Sequence, residues 1–70
     1  MKILKVVEIM ADSDKSWEEA AANAVAHASK TIRNIKSAWV QDQSVTVRDG
    51  AISKYRVTCK ISFEVDGQTA

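Results

Sequence analysis

Trp39, Gln41 and Gln43 stand at every second position of a stretch, NIKSAWVQDQSV, that otherwise reads as a β-strand. Successive side chains of a strand point to opposite faces, so this spacing predicts the indole and both amides on one face. An indole offers a flat apolar surface on which a planar ring can stack. A carboxamide offers a donor and an acceptor to the polar edge of such a ring. The plainer reading is that the same tryptophan fills the gap between strand and helix, or sits in a subunit contact. A β-bulge near Gln41 would change the arrangement. The apolar positions shift from Ala38 and Val40 to Val45 and Val47, which is the pattern a bulge leaves.

The other residues with chemical potential are scattered. Arg56 is suited to salt bridges or phosphate contacts; it donates to carbonyls but cannot accept from an imide, as a glutamine would. Arg56, Lys60 and Glu64, with Lys54, form the polar side of an alternating segment, which is either a solvated face or the lining of an enclosed space. Asp12, Ser13 and Asp14 offer oxygen ligands in a polar turn, but without the ligand spacing of a full calcium loop. His27 has no spaced partner and reads as a surface residue. Cys59 lies among apolar positions and reads as a small buried hydrophobe. No Ser-His-Asp, Cys-His or paired-carboxylate arrangement is present, so the sequence points away from an enzyme.

The elements that must position these residues are legible. Residues 2–10, KILKVVEIM, read as a strand, and ADSDK as a polar turn. SWEE (Ser16 to Glu19) is a capping box: Ser16 accepts from the Glu19 amide, and the Glu19 side chain reaches back to the Ser16 amide. The predicted helix runs from about Trp17 to about Arg33. Its stripe is Trp17, Ala21, Ala24, Val25, Ala28, Ile32 and Ile35, mostly small residues that let a helix lie close to a sheet. A long second strand covers about Lys36 to Arg48, and Asp49-Gly50 is a strong hairpin signal. In the third strand Tyr55, Val57, Cys59, Ile61, Phe63 and Val65 alternate with polar residues. The DGQTA tail is expected to fray.

The order is β-α-β-β in a single predicted domain, residues 1–70. One helix covers only one face of the sheet, and the long second strand should protrude and invite pairing with other copies. The composition, 46% hydrophobic and 27% charged, is that of a globular chain, and the net charge of +1 creates no field that would draw in nucleic acid or an anionic membrane. A single aromatic on the exposed strand face and no basic cluster also speak against an RNA-binding sheet. No apolar stretch is long enough to span a membrane, and Lys5 and Glu8 interrupt the only stretch that resembles a leader. With one cysteine there is no internal disulfide, so a cytoplasmic protein is expected. A chain this short has little core to spare, which favours extra burial between copies.

The ordered series KVVEI, a serine-containing turn, SWEEAAANAVAHASKTIRNI, a long second strand, DG and YRVTCKISFEV resembles the dodecins across roughly residues 3–66. The resemblance implies an α+β fold: a β-α-β-β protomer with an antiparallel sheet wrapped around one helix, assembled as a hollow homododecamer. It further implies a non-catalytic storage or photoprotective protein that holds flavin, of the FMN or riboflavin type, at subunit interfaces. Some members also bind coenzyme A. In flavin-binding members a tryptophan at the start of the second strand stacks on the ring, and a glutamine on the third strand meets the ring edge. Aligned from Asn34, the stacking position falls on Ser37, with Trp39 two residues later, and the glutamine position falls on Arg56. The usual Gly-Thr-Ser turn reads Ala11-Asp12-Ser13. The expected flavin contacts are therefore Ser37, Trp39, Gln41, Gln43 and Arg56. The same departures are similar to a branch that lacks the flavin tryptophan, including a calcium-binding type. The alternative is thus a flavin-free shell with a structural or calcium-binding role. In either case the implied partner is the chain itself, with a small-molecule ligand in the first.

Overall fold

The computed structural model describes residues 2–65, so the expected fraying of the C-terminal tail lies outside the described residues. Four elements follow in order: β1 (Ile3–Ser13), α1 (Trp17–Ala28), β2 (Ile35–Arg48) and β3 (Ala51–Val65). The strands form one antiparallel sheet in the order β1-β3-β2, with β3 in the centre. This is the predicted β-α-β-β arrangement.

The two strand connections are built by different chemistry. β2 and β3 are joined by the Asp49-Gly50 turn, where φ is 53° and 78°. Two positive φ values in succession match the right-handed twist of the flanking strands, and Arg48 pairs Ala51 to close the turn. β1 runs three residues further than predicted, to Ser13, because Ala11, Asp12 and Ser13 pair with Val57, Arg56 and Tyr55. The segment read as a turn from its polarity is held in the ladder by its partners.

The helix start is half of the predicted capping box. The Ser16 hydroxyl accepts from the Glu19 amide at 3.0 Å. The Glu19 carboxylate does not return to the Ser16 amide. It accepts from the Ser13 hydroxyl, and Ser13 Oγ in turn accepts from the amides of Lys15 (2.9 Å) and Ser16 (3.3 Å). Ser13, at 5% exposure, thus ties the end of β1 to the first turn of α1. Glu18 and Glu19 also lie at the positive end of the helix dipole.

The helix is shorter than predicted. It ends at Ala28, after which Lys30 and Thr31 donate to carbonyls three residues back, in the tighter 3₁₀ manner, and the Ser29 hydroxyl bonds Val25 O at 2.8 Å. Thr31 and Ile32 are β-branched, and Asn34 takes φ 62°, a left-handed conformation that turns the chain into β2. No glycine or proline marks this end, so the sequence carries only a diffuse signal for it.

Ala20, Ala24 and Ala28 are 0%, 1% and 2% exposed and pack the helix onto the odd-numbered side of β3, where Val57, Cys59 and Ile61 are buried. Ile9 and Ala11 of β1, with Trp17 and Ala21, border that cluster. The buried stripe is therefore rotated by one residue from the predicted one, with Ala20 in it and Ala21 at its edge. Helix contact falls mainly on β1 and β3 and only marginally on β2. The β2–β3 hairpin runs on beyond the helix in a particle that measures 53 × 19 × 15 Å. Its distal residues Val47 and Ile52, which pair with one another, are 65% and 56% exposed. The hairpin is anchored to the helix start by Trp17, whose indole N–H donates to Ser44 O at 2.9 Å and whose ring meets Tyr55 edge-on at 5.2 Å. Trp17 is thus a half-buried brace at the edge of the core.

Candidate functional site: the open face of the sheet

In an antiparallel ladder, directly opposed residues share a face, so the register assigns every side chain a side. The face away from the helix carries Leu4, Val6, Glu8, Met10 and Asp12 from β1. Opposite these, β3 presents Glu64, Ser62, Lys60, Thr58 and Arg56. On the other flank β2 presents Ser37 opposite Ser62, Trp39 opposite Lys60, Asp42 opposite Thr58 and Ser44 opposite Arg56.

β2 keeps this register only through irregularities. The pairing steps from Ile35 to Ser37 and from Val40 to Asp42 while β3 advances by one residue each time, so Lys36 and Gln41 are the extra residues. The bulge foreseen near Gln41 is present, and it corrects the simple alternation. Trp39 opposes Lys60 on the open face. Gln43 opposes Val57, a core residue, and so lies on the helix side. Trp39 and Gln43 do not share a face, because the bulge reverses the parity between them. Gln43 instead lines a hollow of about 210 Å³ with Trp17, Glu18, Ala21 and Val40.

Ser37 and Trp39 are together on the open face, as expected. The Ser37 and Ser62 hydroxyls are 2.6 Å apart, and Trp39 remains 46% exposed. The indole does not fill the gap between strand and helix, since it is on the wrong side of the sheet. Arg56 is on the same face but at a distance. Six positions along β3 separate it from Ser62, the partner of Ser37, which is about 20 Å of strand. Within one chain Arg56 cannot share a ligand ring with Ser37.

Arg56 is also engaged. Its Nε donates to Asp12 Oδ1 at 2.7 Å and its terminal nitrogen to Asp12 Oδ2 at 3.2 Å, a two-pronged pair across β1 and β3. This hydrogen bonding, aided by the Arg56 charge, holds the Asp12 carboxyl below its usual range and raises Arg56 above its own. Asp14 is taken by Lys54 at 3.2 Å, and Glu64 by Lys36 at 3.7 Å. The three residues weighed as oxygen ligands for calcium are thus separately occupied: Asp12 by Arg56, Asp14 by Lys54, Ser13 by Glu19 and two backbone amides. Among the described residues no three His, Cys, Asp or Glu side chains cluster in a way that would hold a metal ion.

Two sequence expectations off this face hold. His27 is exposed, beside a groove of about 420 Å³ between α1 and the edge strand β1 that Asn23, Lys30, Ile9 and Met10 also line. Cys59 is a buried free thiol whose pKa burial raises, which disfavours the reactive thiolate. Among the described residues no helix is long and apolar enough to cross a membrane.

The model of the Dodecin family matches residues 3–66. The chain is a member of the dodecin family. The calcium dodecin of Mycobacterium tuberculosis is 35% identical over 65 residues, covering 93% of this chain and 92% of that protein. A dodecin of Thermus thermophilus is 28% identical over 65 residues, 93% of this chain and 94% of its own. In three dimensions, a crystal structure of a T. thermophilus dodecin variant superposes with a TM-score of 0.88 at 27% identity, covering 94% of this chain and 98% of that one. A crystal structure of the M. tuberculosis calcium dodecin, which carries a calcium-binding site, gives 0.80 at 36% identity, with 93% of each chain covered. The dodecin protomer, a sheet with one helix on one face, is thus the architecture of this chain, and no enzyme family is indicated. Its open face carries Ser37 bonded to Ser62, Trp39 two residues on, and Arg56 closed onto Asp12.

The sequence pattern identified Trp39 and placed it with Ser37. It missed Asp12 as the partner of Arg56 and Lys60 as the neighbour of Trp39, because both depend on register. Counting outward from the Asp49-Gly50 turn gives the right strands but not the right partners, since the irregularities shift the register along β2.

Proposed function

We propose that this dodecin is a non-catalytic, self-assembling binding protein of the cytoplasm, one domain per chain, whose open sheet face holds a flavin of the FMN or riboflavin type within a hollow dodecameric shell. The observation that carries this reading is Trp39: a large aromatic left 46% exposed on the face the helix does not cover. Leu4, Val6 and Met10 are exposed on that same face, at 54%, 50% and 62%, an apolar surface suited to burial against copies or a ring. In a bound state Trp39 would carry the ring, with Ser37 and the bulged Gln41 as polar neighbours. Gln43 lies on the other side of the sheet, and Arg56 is too far along it to join them from the same chain. The free, buried Cys59 accords with a reducing compartment.

The test is a fluorescence titration of FMN and riboflavin with the purified protein, together with its mass in solution. Quenching that weakens in Trp39→Ala, with a mass near twelve protomers, supports the reading. Undiminished flavin emission at micromolar protein would sink its ligand part, and a monomeric mass its assembly.

Calcium is the second reading, favoured by the 35% identity to a calcium dodecin. The Asp12–Asp14 turn does not fit the ion, since each carboxylate already faces a cation. A calcium role would therefore need carboxylates from more than one chain. Equal melting curves in calcium and in chelator would remove it.

A further inference from the structure

Four basic side chains lie on or beside the open face: Lys36, Lys54, Arg56 and Lys60. Among the described residues the first three each meet a carboxylate, Glu64, Asp14 and Asp12 respectively, within 4.0 Å. Lys60 meets none. Glu8 is opposite it on β1 and Asp42 diagonal to it on β2, yet among the described residues neither closes onto it within 4.0 Å. On its other side Lys60 is directly opposed to Trp39. Opposed residues of an antiparallel pair have Cβ atoms about 5 Å apart, so the four-carbon stem of Lys60 starts beside the indole and its ammonium group has the length to meet a ligand seated there. Arg56 is four residues further along β3, about 13 Å away, with its charge matched by Asp12 through two hydrogen bonds.

We propose that Lys60, and not Arg56, is the residue by which the Trp39 platform discriminates between ligands on charge, so that the face prefers a planar aromatic molecule carrying a negative group over its neutral counterpart. The inference rests on the flavin reading of this face and adds the determinant of its selectivity. The physical grounds are occupancy and distance. A guanidinium whose charge is already matched by a carboxylate gains less from a second anion, although it keeps N–H donors to spare. Lys60, bridged to no carboxylate among the described residues, exchanges only water for the anion. Partial exposure and salt keep the gain modest.

The test uses FMN and riboflavin, which share a ring and differ by a phosphate, titrated against the assembled protein at low ionic strength. The wild type should bind FMN about fivefold more tightly than riboflavin, the order of magnitude of one partly screened ion pair. Lys60→Met should reduce that ratio to near one while riboflavin affinity changes little. Lys60→Arg should restore it. Arg56→Gln should leave the ratio in place. If both flavins bind and the ratio survives Lys60→Met, or disappears in Arg56→Gln, the assignment to Lys60 is wrong while the platform stands. If neither flavin binds, both the platform and its selectivity fall. Solution mass and circular dichroism of each variant separate a lost ligand contact from a lost assembly.

Discussion

Ala24→Leu is the perturbation that most directly probes how this protomer closes one face of its sheet. Ala24 is 1% exposed in a layer with Ala20 at 0%, and both rest on Val57 and Cys59 of β3. The methyl side chains leave no slack, so an isobutyl group at this position must push α1 off the sheet or force strained rotamers. Overpacking of this kind costs about 1–3 kcal/mol. In a domain of this size each kcal/mol lowers the midpoint by roughly 4–8 °C, so the variant should melt about 5–20 °C below the wild type. The matched control is Ala22→Leu, the same change on the exposed side of the same helix, where an effect within about 0.5 kcal/mol is expected. Thermal unfolding followed by circular dichroism at one fixed protein concentration makes the comparison, since self-association makes the midpoint concentration-dependent. If Ala24→Leu melts with Ala22→Leu, the alanine layer is not what sets the helix–sheet distance, and the account of the core given above is wrong.

Other substitutions probe the turn, the cap and the charge pair. Gly50→Ala should destabilise by about 1 kcal/mol through its backbone alone, because φ is +78° while nothing lies within 4 Å of the added carbon; a variant as stable as wild type in urea would contradict this. Ser16→Ala should cost about 1 kcal/mol by removing the acceptor of the Glu19 amide, read as a lower urea midpoint with unchanged slope. The Asp12–Arg56 pair predicts an acid dependence. Its folded Asp12 value lies below the unfolded one, chiefly because Arg56 donates to the carboxylate. The pair therefore contributes fully above the ordinary aspartate value of about 3.9 and is lost as pH falls through the lower, folded value. Wild type should lose more stability than Arg56→Gln as pH falls below about 4, and parallel curves would dismiss the pair as a contributor.

The sequence was informative wherever local chemistry decides structure. The alternation from Tyr55 to Val65 named the buried side of β3, the Asp49-Gly50 pair named the hairpin, and Ser16 named the helix start. It was less informative where a distant partner decides. Ala11 to Ser13 looked like a turn by composition, yet Val57, Arg56 and Tyr55 across the ladder hold them extended. The helix looked four or five residues longer because nothing at its end breaks a helix by type. For the candidate site, the company of Trp39 with Ser37 followed from period two alone, whereas its exposure did not, since the same pattern fits an indole packed under the helix. The place of Gln43 did not, because a single bulged residue, Gln41, reverses every later side chain. That one irregularity separates a row of three polar and aromatic residues on paper from a lone tryptophan beside a lysine in the fold.

The composition of the open face suggests a surface made to be covered. Leu4, Val6, Met10 and Trp39 are all exposed there, and burying them is favourable by about 25 cal/mol for each Å² removed from water. The obstacle to covering such a face is its charges, since a lone ion costs several kcal/mol to desolvate, about as much as a large apolar side chain returns. Here three of the basic groups are already matched with carboxylates inside the protomer, so they can be approached by an apolar partner at lower cost than bare ions. Lys60 is the exception among the basic groups; it is beside the largest apolar group of the face, and Glu8 and Asp42 on that face are likewise bridged to no cation among the described residues. Whatever covers Trp39, a second copy or a flat ligand, must therefore bring an acceptor to Lys60 or leave water there. A purely apolar cover would strand the ammonium, and a cover with a negative group would not. Lys60, bridged to no carboxylate among the described residues, thus makes the same apolar platform selective, and replacing it with methionine should leave the platform in place but less discriminating.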